Sequence, residues 1–392
     1  MGSGIVFICG SLEPGRDGVG DYTRRLATVL QRAGNRVHLI ALYDKQVARP
    51  LPEVQIEGDS SVTTLRLPYA TSVAERLRHL QEEVDAFDPA WISLQYVPHA
   101  FNKYGLPLGL LYTLHKLRTA AAWHIMFHEL WITPSSALDL KQQLIATLEH
   151  RAVSWLIGTG LRPQVIHTHL PAYARRLLVK GATALPLPLF ANIDRRTTET
   201  PARPAGTFRA VFFSQLSAPP AVTDFLQQLY RQLAARGEHL EIYLLGGGPD
   251  KVARAAGELS AALPGVTVRT PGFLPAAEIS HHLAQADLGI TPVLHHEIGK
   301  SGTVAAFLTH RLPVAAPVVT DRTPSFFLPE LNAAVLTQYS EAEFQRARSA
   351  AAALDTGLIS ASRIAASLAA DLTAAQPDRP VRSRTTPATL TE

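Results

Sequence analysis

The sequence HHEIGKSGTVAAFLTHRLPVAAP occupies residues His295–Pro317. An apolar run, Leu288–Pro292, comes before it. The segment itself contains a glycine-bearing loop, an Ala/Phe/Leu run that predicts a helix from Thr303, and a second apolar run from Pro313. Strand, loop, helix and strand in this order are typical of a parallel α/β sheet. The first turn of the predicted helix offers backbone N–H groups that have no partner inside the helix.

The loop in this segment carries the residue types that bind a diphosphate. Its two glycines allow the backbone to approach a ligand, its two hydroxyls can donate hydrogen bonds, and its lysine adds a positive charge beside a helix N-terminus. We therefore predict a diphosphate site. The alternative is a helix cap, in which one hydroxyl caps the helix and the lysine stays in solvent. The residues concerned are Glu297, Gly299, Lys300, Ser301, Gly302 and Thr303.

Strand and helix patterns alternate on both sides of this segment, and a polar stretch rich in Pro and Thr at residues 195–206 divides them into two halves. Alternation of this kind argues for mostly parallel, doubly wound sheets. We predict an α/β fold of two Rossmann-like domains, residues 1–194 and 207–375, that face each other across a cleft. The last stretch, 376–392, has almost no hydrophobic content, and we expect it to be disordered.

Composition limits the function classes. The chain of 392 residues is 46% hydrophobic and 18% charged, with a formal net charge of +4. So mild a charge suits a small anionic ligand and does not indicate a nucleic-acid binder. The single cysteine, Cys9, excludes an intramolecular disulfide, and the N-terminus lacks a basic region before its first strand. We therefore expect a cytoplasmic protein without a signal peptide.

A second glycine-containing loop follows the first predicted strand and opens a helix. Its glycines, at positions 15, 18 and 20, do not match G-x-G-x-x-G, and it has no Walker lysine, so the motif is weak by itself. Together with later segments it resembles the retaining GT-B glycosyltransferases of family four. The similar segments follow in that family's order over residues 5–320: GVGDYTRRLATVL, RVHLIAL, LQYVPHAFNKYGLP, MFHELW, LPLPLFANI, YLLGGGPD, PGFLP and GKSGTVAAFLTHRLPV.

This resemblance implies a GT-B fold and the transfer of a sugar, of the hexosyltransferase type, from a nucleotide diphosphate sugar to an acceptor. The anomeric configuration would be retained, and neither a metal nor another cofactor would be needed. The second domain would hold the nucleotide, and the first would receive a sugar, lipid-linked or small-molecule acceptor. Such an enzyme would serve polysaccharide or glycoconjugate biosynthesis.

The resemblance also implies roles for single residues. His128, at the end of a predicted strand, would bind the donor sugar in the cleft. Lys300 is not given by the family pattern; we predict it as the second catalytic residue because departure of a diphosphate needs a positive charge where negative charge develops. The alternatives are a loop histidine at position 128, an N-cap at Asp21 and a buried Tyr96. The other implied positions are Gly18, Gly20, Gly246, Gly272 and Phe273 for the donor, and Asp21, Gln95 and Tyr96 for the acceptor side.

Two departures from the family pattern leave a rival function open. The family usually has an arginine and a lysine after the first strand of the second domain, but residues 213–220 read FSQLSAPP. Its second cradle glutamate falls here on Ala305 or Ala306. The alternative is therefore a catalytically lapsed subunit that binds a nucleotide sugar and assists a partner glycosyltransferase. A GT-B epimerase would need acid/base carboxylates that the sequence does not place.

A membrane contact is a further expectation. Phe101–Thr119 mixes aromatic and aliphatic residues with Lys103, Lys116 and Arg118. This composition suits peripheral docking on an anionic surface at the inner membrane face, whereas a core helix with basic ends in solvent is the alternative.

Overall fold

A computed structural model describes residues 2–58, 60–131, 140–196 and 205–375, and it contains two separate α/β sheets. The first sheet has eight strands in the order β3-β4-β2-β1-β5-β6-β7-β8. Its strands are β1 (Gly4–Cys9), β2 (Arg36–Asp44), β3 (Leu51–Glu57), β4 (Ser60–Pro68), β5 (Trp91–Tyr96), β6 (Ala122–Phe127), β7 (Val165–Thr168) and β8 (Leu185–Pro186).

Seven of these strands run parallel, and only β3 pairs antiparallel, with β4. Every residue of β1, β5 and β6 is buried, as expected of strands in a sheet that is covered on both faces, although β5 and β6 include the polar residues Ser93, Gln95 and His124. The helices that cover this sheet and connect its strands are α1 (Gly18–Arg32), α2 (Val73–Phe87), α3 (Pro98–Phe101), α4 (Leu108–Lys116), α5 (Leu140–Trp155) and α6 (Pro171–Val179).

The second sheet has six parallel strands in the order β11-β10-β9-β12-β13-β14. These strands are β9 (Thr207–Phe213), β10 (His239–Leu245), β11 (Thr267–Gly272), β12 (Leu288–Ile290), β13 (Val314–Ala315) and β14 (Val335–Leu336). The helices of this part are α7 (Pro220–Ala235), α8 (Pro249–Ala262), α9 (Ala276–Gln285), α10 (Gly302–Thr309), α11 (Pro329–Ala333), α12 (Glu341–Ala353) and α13 (Ala361–Ala374).

Helix α13 returns to the first sheet. Its side chains Ile364, Leu368 and Leu372 are at most 2% exposed, and they share one hydrophobic cluster with Leu26 and Leu30 of α1. The residues predicted as the second domain, 207–375, therefore include a helix whose apolar face lies in the core of the first.

Two predicted segments lie largely or wholly outside the described residues. Of the linker 195–206, only residues 195, 196, 205 and 206 are described, and all of the tail 376–392 lies beyond the described part. Within the described ranges, no helix is both long enough and apolar enough to span a bilayer.

The start of α1 gives a test of the packing. A Cβ atom on Gly20 would lie 2.4 Å from the Ser11 carbonyl oxygen, whereas one on Gly18 would meet nothing within 4 Å. We predict that Gly20→Ala lowers the free energy of unfolding by about 1–3 kcal/mol through overpacking. Gly18→Ala is the matched control, and we expect it to be neutral or stabilising by up to about 1 kcal/mol. Equal chemical-denaturation midpoints for the two variants would contradict this packing.

Candidate functional site

The two sheets bring their topological switch points to one cavity. The strand order reverses between β1 and β5 in the first sheet and between β9 and β12 in the second, and ligands of open α/β sheets bind at such points. A cavity of about 340 Å³ lies there. Its walls come from the segments that follow these strands and from both domains, and they include Asp17, Gly18, Val97, Ala100, His128, Glu129, Gln215, Val293, Lys300, Ser301 and Gly302.

Two larger cavities, of about 760 and 790 Å³, include neither His128 nor Lys300 in their walls. We therefore place the candidate site in the smaller cavity, where the chemistry-bearing side chains are.

The start of α10 contributes backbone donors to this cavity. Ser301 is the N-cap, and its hydroxyl accepts a hydrogen bond from the Val304 N–H at 3.4 Å. The Thr303 hydroxyl donates to the Phe213 carbonyl at 3.1 Å. The Thr303 hydroxyl therefore donates within the protein, whereas the Ser301 hydroxyl accepts and keeps its own O–H as a donor. The capping alternative is correct for Ser301. The N–H groups of Gly302 and Thr303 have no partner among the described residues.

Lys300 joins the two domains. Its ammonium donates to the Tyr173 hydroxyl at 3.1 Å and forms ion pairs with Glu297 at 3.1 Å and Glu129 at 3.7 Å. Burial lowers the pKa of Lys300, but Tyr173 and the two carboxylates outweigh burial and raise this pKa above its usual value. The lysine is therefore charged and held in place, and the alternative that it lies free in solvent is wrong.

The glycines of the site serve different purposes. A Cβ on Gly299 would lie 2.4 Å from the Ser325 carbonyl oxygen and 2.9 Å from the Leu170 side chain, so this glycine permits contact between the domains. Gly299 is not among the residues that line the cavity, and its approach to a ligand stays a prediction. Gly302 and Gly18 both line the cavity and have space at the Cβ position. Gly20 is buried against the loop that follows β1.

Three predicted donor residues lie elsewhere on the second sheet. Gly246 and Gly272, which lie at the ends of β10 and β11, have φ values of 71° and 83°, in the left-handed region that favours glycine. The Gly246 N–H donates to the Gly272 carbonyl at 3.3 Å. Phe273 follows and is 91% exposed. The structure thus brings these residues together, but outside the cavity walls.

His128 lies where the resemblance placed it, at the end of β6 in the cavity wall. Its Nε2 is 2.9 Å from the Gln95 side-chain oxygen, and its Nδ1 is 3.0 Å from His169 Nε2. Gln95 is 1% exposed and therefore supports His128 from behind instead of facing an acceptor. The sequence analysis did not identify two further residues of this site. His169 also lines the cavity, and the Tyr22 ring packs nearly perpendicular to the rings of His128 and His169.

Two acceptor-side predictions need correction. Tyr96 is fully buried and packs against Phe101 and Phe127 in the hydrophobic core, so its ring does not line the cavity. The carboxylate of Asp21 accepts from the Gly15 N–H at 2.9 Å and pairs with Arg24. It is not the N-cap of α1 either, because Asp17 accepts the capping hydrogen bond from the Gly20 N–H at 2.7 Å.

The cavity combines one side-chain cation with two carboxylates among its described wall residues. Among its described wall residues, Lys300 is the only lysine or arginine, while Asp17 and Glu129 contribute carboxyl groups. Burial raises the pKa of Asp17.

No group of three or more His, Cys, Asp or Glu side chains within the described ranges has an arrangement suited to a metal ion. Metal independence itself stays a prediction.

Comparisons with known proteins identify the fold. The chain superposes on the HepE protein of Anabaena in complex with UDP and glucose with a TM-score of 0.58, at 13% sequence identity, over 95% of this chain and 100% of that one. It superposes on a putative UDP-N-acetylglucosamine 2-epimerase from Listeria monocytogenes with a TM-score of 0.56, at 12% identity, over 97% and 99%. It superposes on the trehalose 6-phosphate synthase of Burkholderia multivorans with a TM-score of 0.56, at 12% identity, over 95% of this chain and 99% of that one.

The protein therefore has the GT-B fold, two Rossmann-like domains around a cleft, as predicted. No family model and no curated protein sequence matches the chain. Membership of the retaining family four stays a prediction.

The buried histidines predict how stability depends on pH. Burial lowers the pKa of His169 to about 4. Because an unfolded histidine has a pKa of about 6.5, the unfolded state binds the proton first as the pH falls. The stabilisation is therefore complete above about pH 6.5 and is lost as the pH falls towards 4.

We predict that His169→Asn reduces the loss of unfolding free energy between pH 7.5 and pH 5 by about 2 kcal/mol. Denaturant titrations at the two pH values measure this loss. His239→Asn, at an exposed histidine, is the control and leaves the loss unchanged. A His169→Asn variant with the wild-type pH dependence would show that His169 is not buried as a neutral ring.

Proposed function

We propose that the protein is a glycosyltransferase that uses a nucleotide diphosphate sugar and acts at the cavity between the two switch points. One observation carries the proposal: α10 begins in the wall of the cavity that also holds His128, with Gly302 lining the cavity and the N–H groups of Gly302 and Thr303 without a partner among the described residues. Backbone donors at a helix N-terminus bind phosphate without any side-chain cation. This offsets the absence of arginine and lysine in residues 213–220.

In the proposed complex, the β-phosphate accepts hydrogen bonds from the start of α10 and the sugar lies beside His128. Departure of the diphosphate develops negative charge, and preoriented N–H dipoles together with Lys300 stabilise it. Lys300, which lines the cavity, exchanges its contact with Glu297 for the phosphate. Catalysis by leaving-group stabilisation and orientation needs no strong base, which suits a retaining, metal-independent transfer.

The nucleobase and the acceptor have separate places in this proposal. The exposed ring of Phe273, beside the left-handed glycines 246 and 272, offers a stacking surface for the base. The acceptor, a sugar, a lipid-linked glycan or a small molecule, enters from the side of the first domain, past Ala100 and Glu129.

A basic, aromatic patch is formed by α4, the residues just before it and the start of α5. Its four apolar members are 49–64% exposed, and lysines lie within 6 Å of two of its rings. Amphipathic rings with flanking lysines suit the headgroup region of an anionic bilayer, so we propose peripheral membrane contact here. The patch consists of Lys103, Tyr104, Leu108, Tyr112, Lys116, Lys141 and Leu144.

Incubation with a panel of UDP, GDP, ADP and dTDP sugars tests the function. A glycosyltransferase slowly releases nucleoside diphosphate from one of these donors without an acceptor, and His128→Ala lowers kcat more than it changes donor affinity. Binding of a donor without any turnover would overturn the proposal and identify a lapsed subunit.

A GT-B epimerase is the second candidate, because the structure brings Asp17 and Glu129 to the cavity, which supplies the carboxylates that sequence reasoning did not place. Conversion of the donor to an epimer, without release of nucleoside diphosphate beforehand, would decide for it.

Substitution of Lys300 tests the diphosphate site. We predict that Lys300→Met weakens nucleoside diphosphate binding by about tenfold to more than a hundredfold, since charge-assisted hydrogen bonds contribute about 1.5–3 kcal/mol. Glu297→Gln should strengthen binding a few fold, because it frees Lys300 from a competing carboxylate. Calorimetric titration measures both.

Thr303→Val is the matched control within the same loop. Its hydroxyl bonds the Phe213 carbonyl, so we expect a stability loss of about 0.5–1.5 kcal/mol with unchanged nucleotide affinity. Wild-type affinity in Lys300→Met would rule the lysine out as a diphosphate ligand.

Flotation with anionic vesicles tests the membrane patch. We predict binding at low salt that weakens as salt is added, and a loss of about tenfold or more in Leu108→Ser, from the apolar surface that no longer enters the bilayer. Ile56→Ser, on the edge strand β3, is the control: Ile56 is 76% exposed and lies outside the patch. Equal flotation of both variants, or none for the wild type at low salt, would argue against this surface.

A further inference from the structure

A chain of seven polar contacts crosses the first domain from its surface to the cavity. It begins at Asp371 on α13, a side chain that is 36% exposed, and ends at the Leu187 carbonyl. The six residues between these ends are at most 6% exposed. The successive distances are Asp371 Oδ2–His167 Nε2 3.0 Å, His167 Nδ1–His124 Nε2 3.0 Å, His124 Nδ1–Ser93 Oγ 2.8 Å, Ser93 Oγ–Gln95 Nε2 2.8 Å, Gln95 Oε1–His128 Nε2 2.9 Å, His128 Nδ1–His169 Nε2 3.0 Å and His169 Nδ1–Leu187 O 2.8 Å.

The Asp371 end fixes the direction of each hydrogen bond. A carboxylate only accepts, so His167 donates from Nε2 and accepts at Nδ1 from His124. The same reasoning makes the Ser93 hydroxyl donate to His124 and the Gln95 amide donate to Ser93. The Gln95 oxygen then accepts, and this requires a proton on Nε2 of His128.

The Leu187 end makes the opposite demand. A carbonyl also only accepts, so His169 donates from Nδ1 and its Nε2 must accept a hydrogen bond from His128 Nδ1. The two directions meet at His128, which would have to donate from both ring nitrogens. Each of the seven contacts between the Asp371 carboxylate and the Leu187 carbonyl needs one proton to be a hydrogen bond. The six neutral groups in between supply only six protons for these contacts.

We propose that this chain binds one proton beyond those of its neutral groups, that the proton makes His128 doubly protonated in mildly acid solution, and that Asp371 is the counter-charge and positioning residue. Asp371 thereby sets the orientation and charge of a histidine in the cavity wall from the opposite end of the chain. The catalytic consequence, a positive charge opposite the start of α10, rests on the proposed function, whereas proton binding does not.

The surroundings of His128 decide how strongly it holds the proton. Burial, followed by His169 and His124, lowers the pKa of His128. Without the extra proton, one contact of the chain would place two hydrogen-bond acceptors against each other inside the protein. This unfavourable contact favours the doubly protonated form of His128 and so opposes the lowering of its pKa. The other groups near His128 are the Tyr22 ring and, in the walls of the same cavity, Asp17, Glu129 and Lys300.

The substitution Asp371→Asn supplies the missing proton covalently. The side-chain amide that it introduces can donate to His167. The five hydrogen bonds between residue 371 and His128 then reverse, with the Gln95 amide turned over, while the two towards Leu187 keep their direction and every histidine stays neutral. Ser93→Ala also lets every histidine stay neutral. It removes the two contacts of Ser93 and divides the chain into two parts, and in each part the neutral groups supply one proton for every contact that remains. Asp224→Asn is the control, since Asp224 is an exposed carboxylate outside the chain.

The test is NMR spectroscopy of the ligand-free protein with ¹⁵N-labelled histidine, between pH 8 and pH 5.5. We expect His128, assigned by its absence in His128→Gln, to gain a second N–H in the wild type and in Asp224→Asn. Asp371→Asn should show no such change, and if that variant does not fold, Ser93→Ala gives the same reading. A His128 that stays singly protonated in the wild type, or that titrates equally in the variant, would overturn the proposal.

Discussion

The packing of α13 on α1 is the constraint on which the site depends. The chain enters the second domain after residue 196 and returns to bury Ile364, Leu368 and Leu372 in the core of the first. Each such side chain contributes about 1.5–3 kcal/mol when it leaves water, so this return is a substantial part of what holds the two domains together. Lys300 and Gly299 add polar and close-packed contacts on the other side of the cleft.

This arrangement gives the cavity an unusual distribution of charge. The second domain offers the start of α10 and one lysine, and that lysine already contacts two carboxylates. A diphosphate would therefore meet mainly backbone dipoles, with Lys300 shared between the phosphate and Glu297. Such a site uses preoriented N–H groups where a pair of free cations is the commoner solution. The histidine chain places a second, pH-dependent charge on the facing wall.

Strong local patterns allowed much of the fold to be predicted. Strands Trp91–Tyr96 and Ala122–Phe127 are short, mostly hydrophobic segments, and helix Val73–Phe87 begins at a Ser72 capping box, so the local sequence defines these elements. The strand Leu51–Glu57 was missed, since it is a half-exposed edge strand whose pairing with β4 depends on tertiary contact.

The site was predictable only in part, for a related reason. The loop after β12 and His128 each follow a strand of a parallel sheet. The order of the strands along the sequence was therefore enough to place both at the edge of a sheet where ligands bind. The engagement of Thr303 with Phe213, the contact of Gly299 with Ser325 and the pairing of His169 with His128 join residues more than 20 positions apart, which no local pattern encodes.

A crystal structure of the protein with a bound nucleoside diphosphate tests the central claim most directly. The account predicts the β-phosphate within hydrogen-bond distance of the Gly302 and Thr303 N–H groups, with Lys300 turned from Glu297 towards it. A diphosphate bound at another surface, with Lys300 still paired to both carboxylates, would contradict the account.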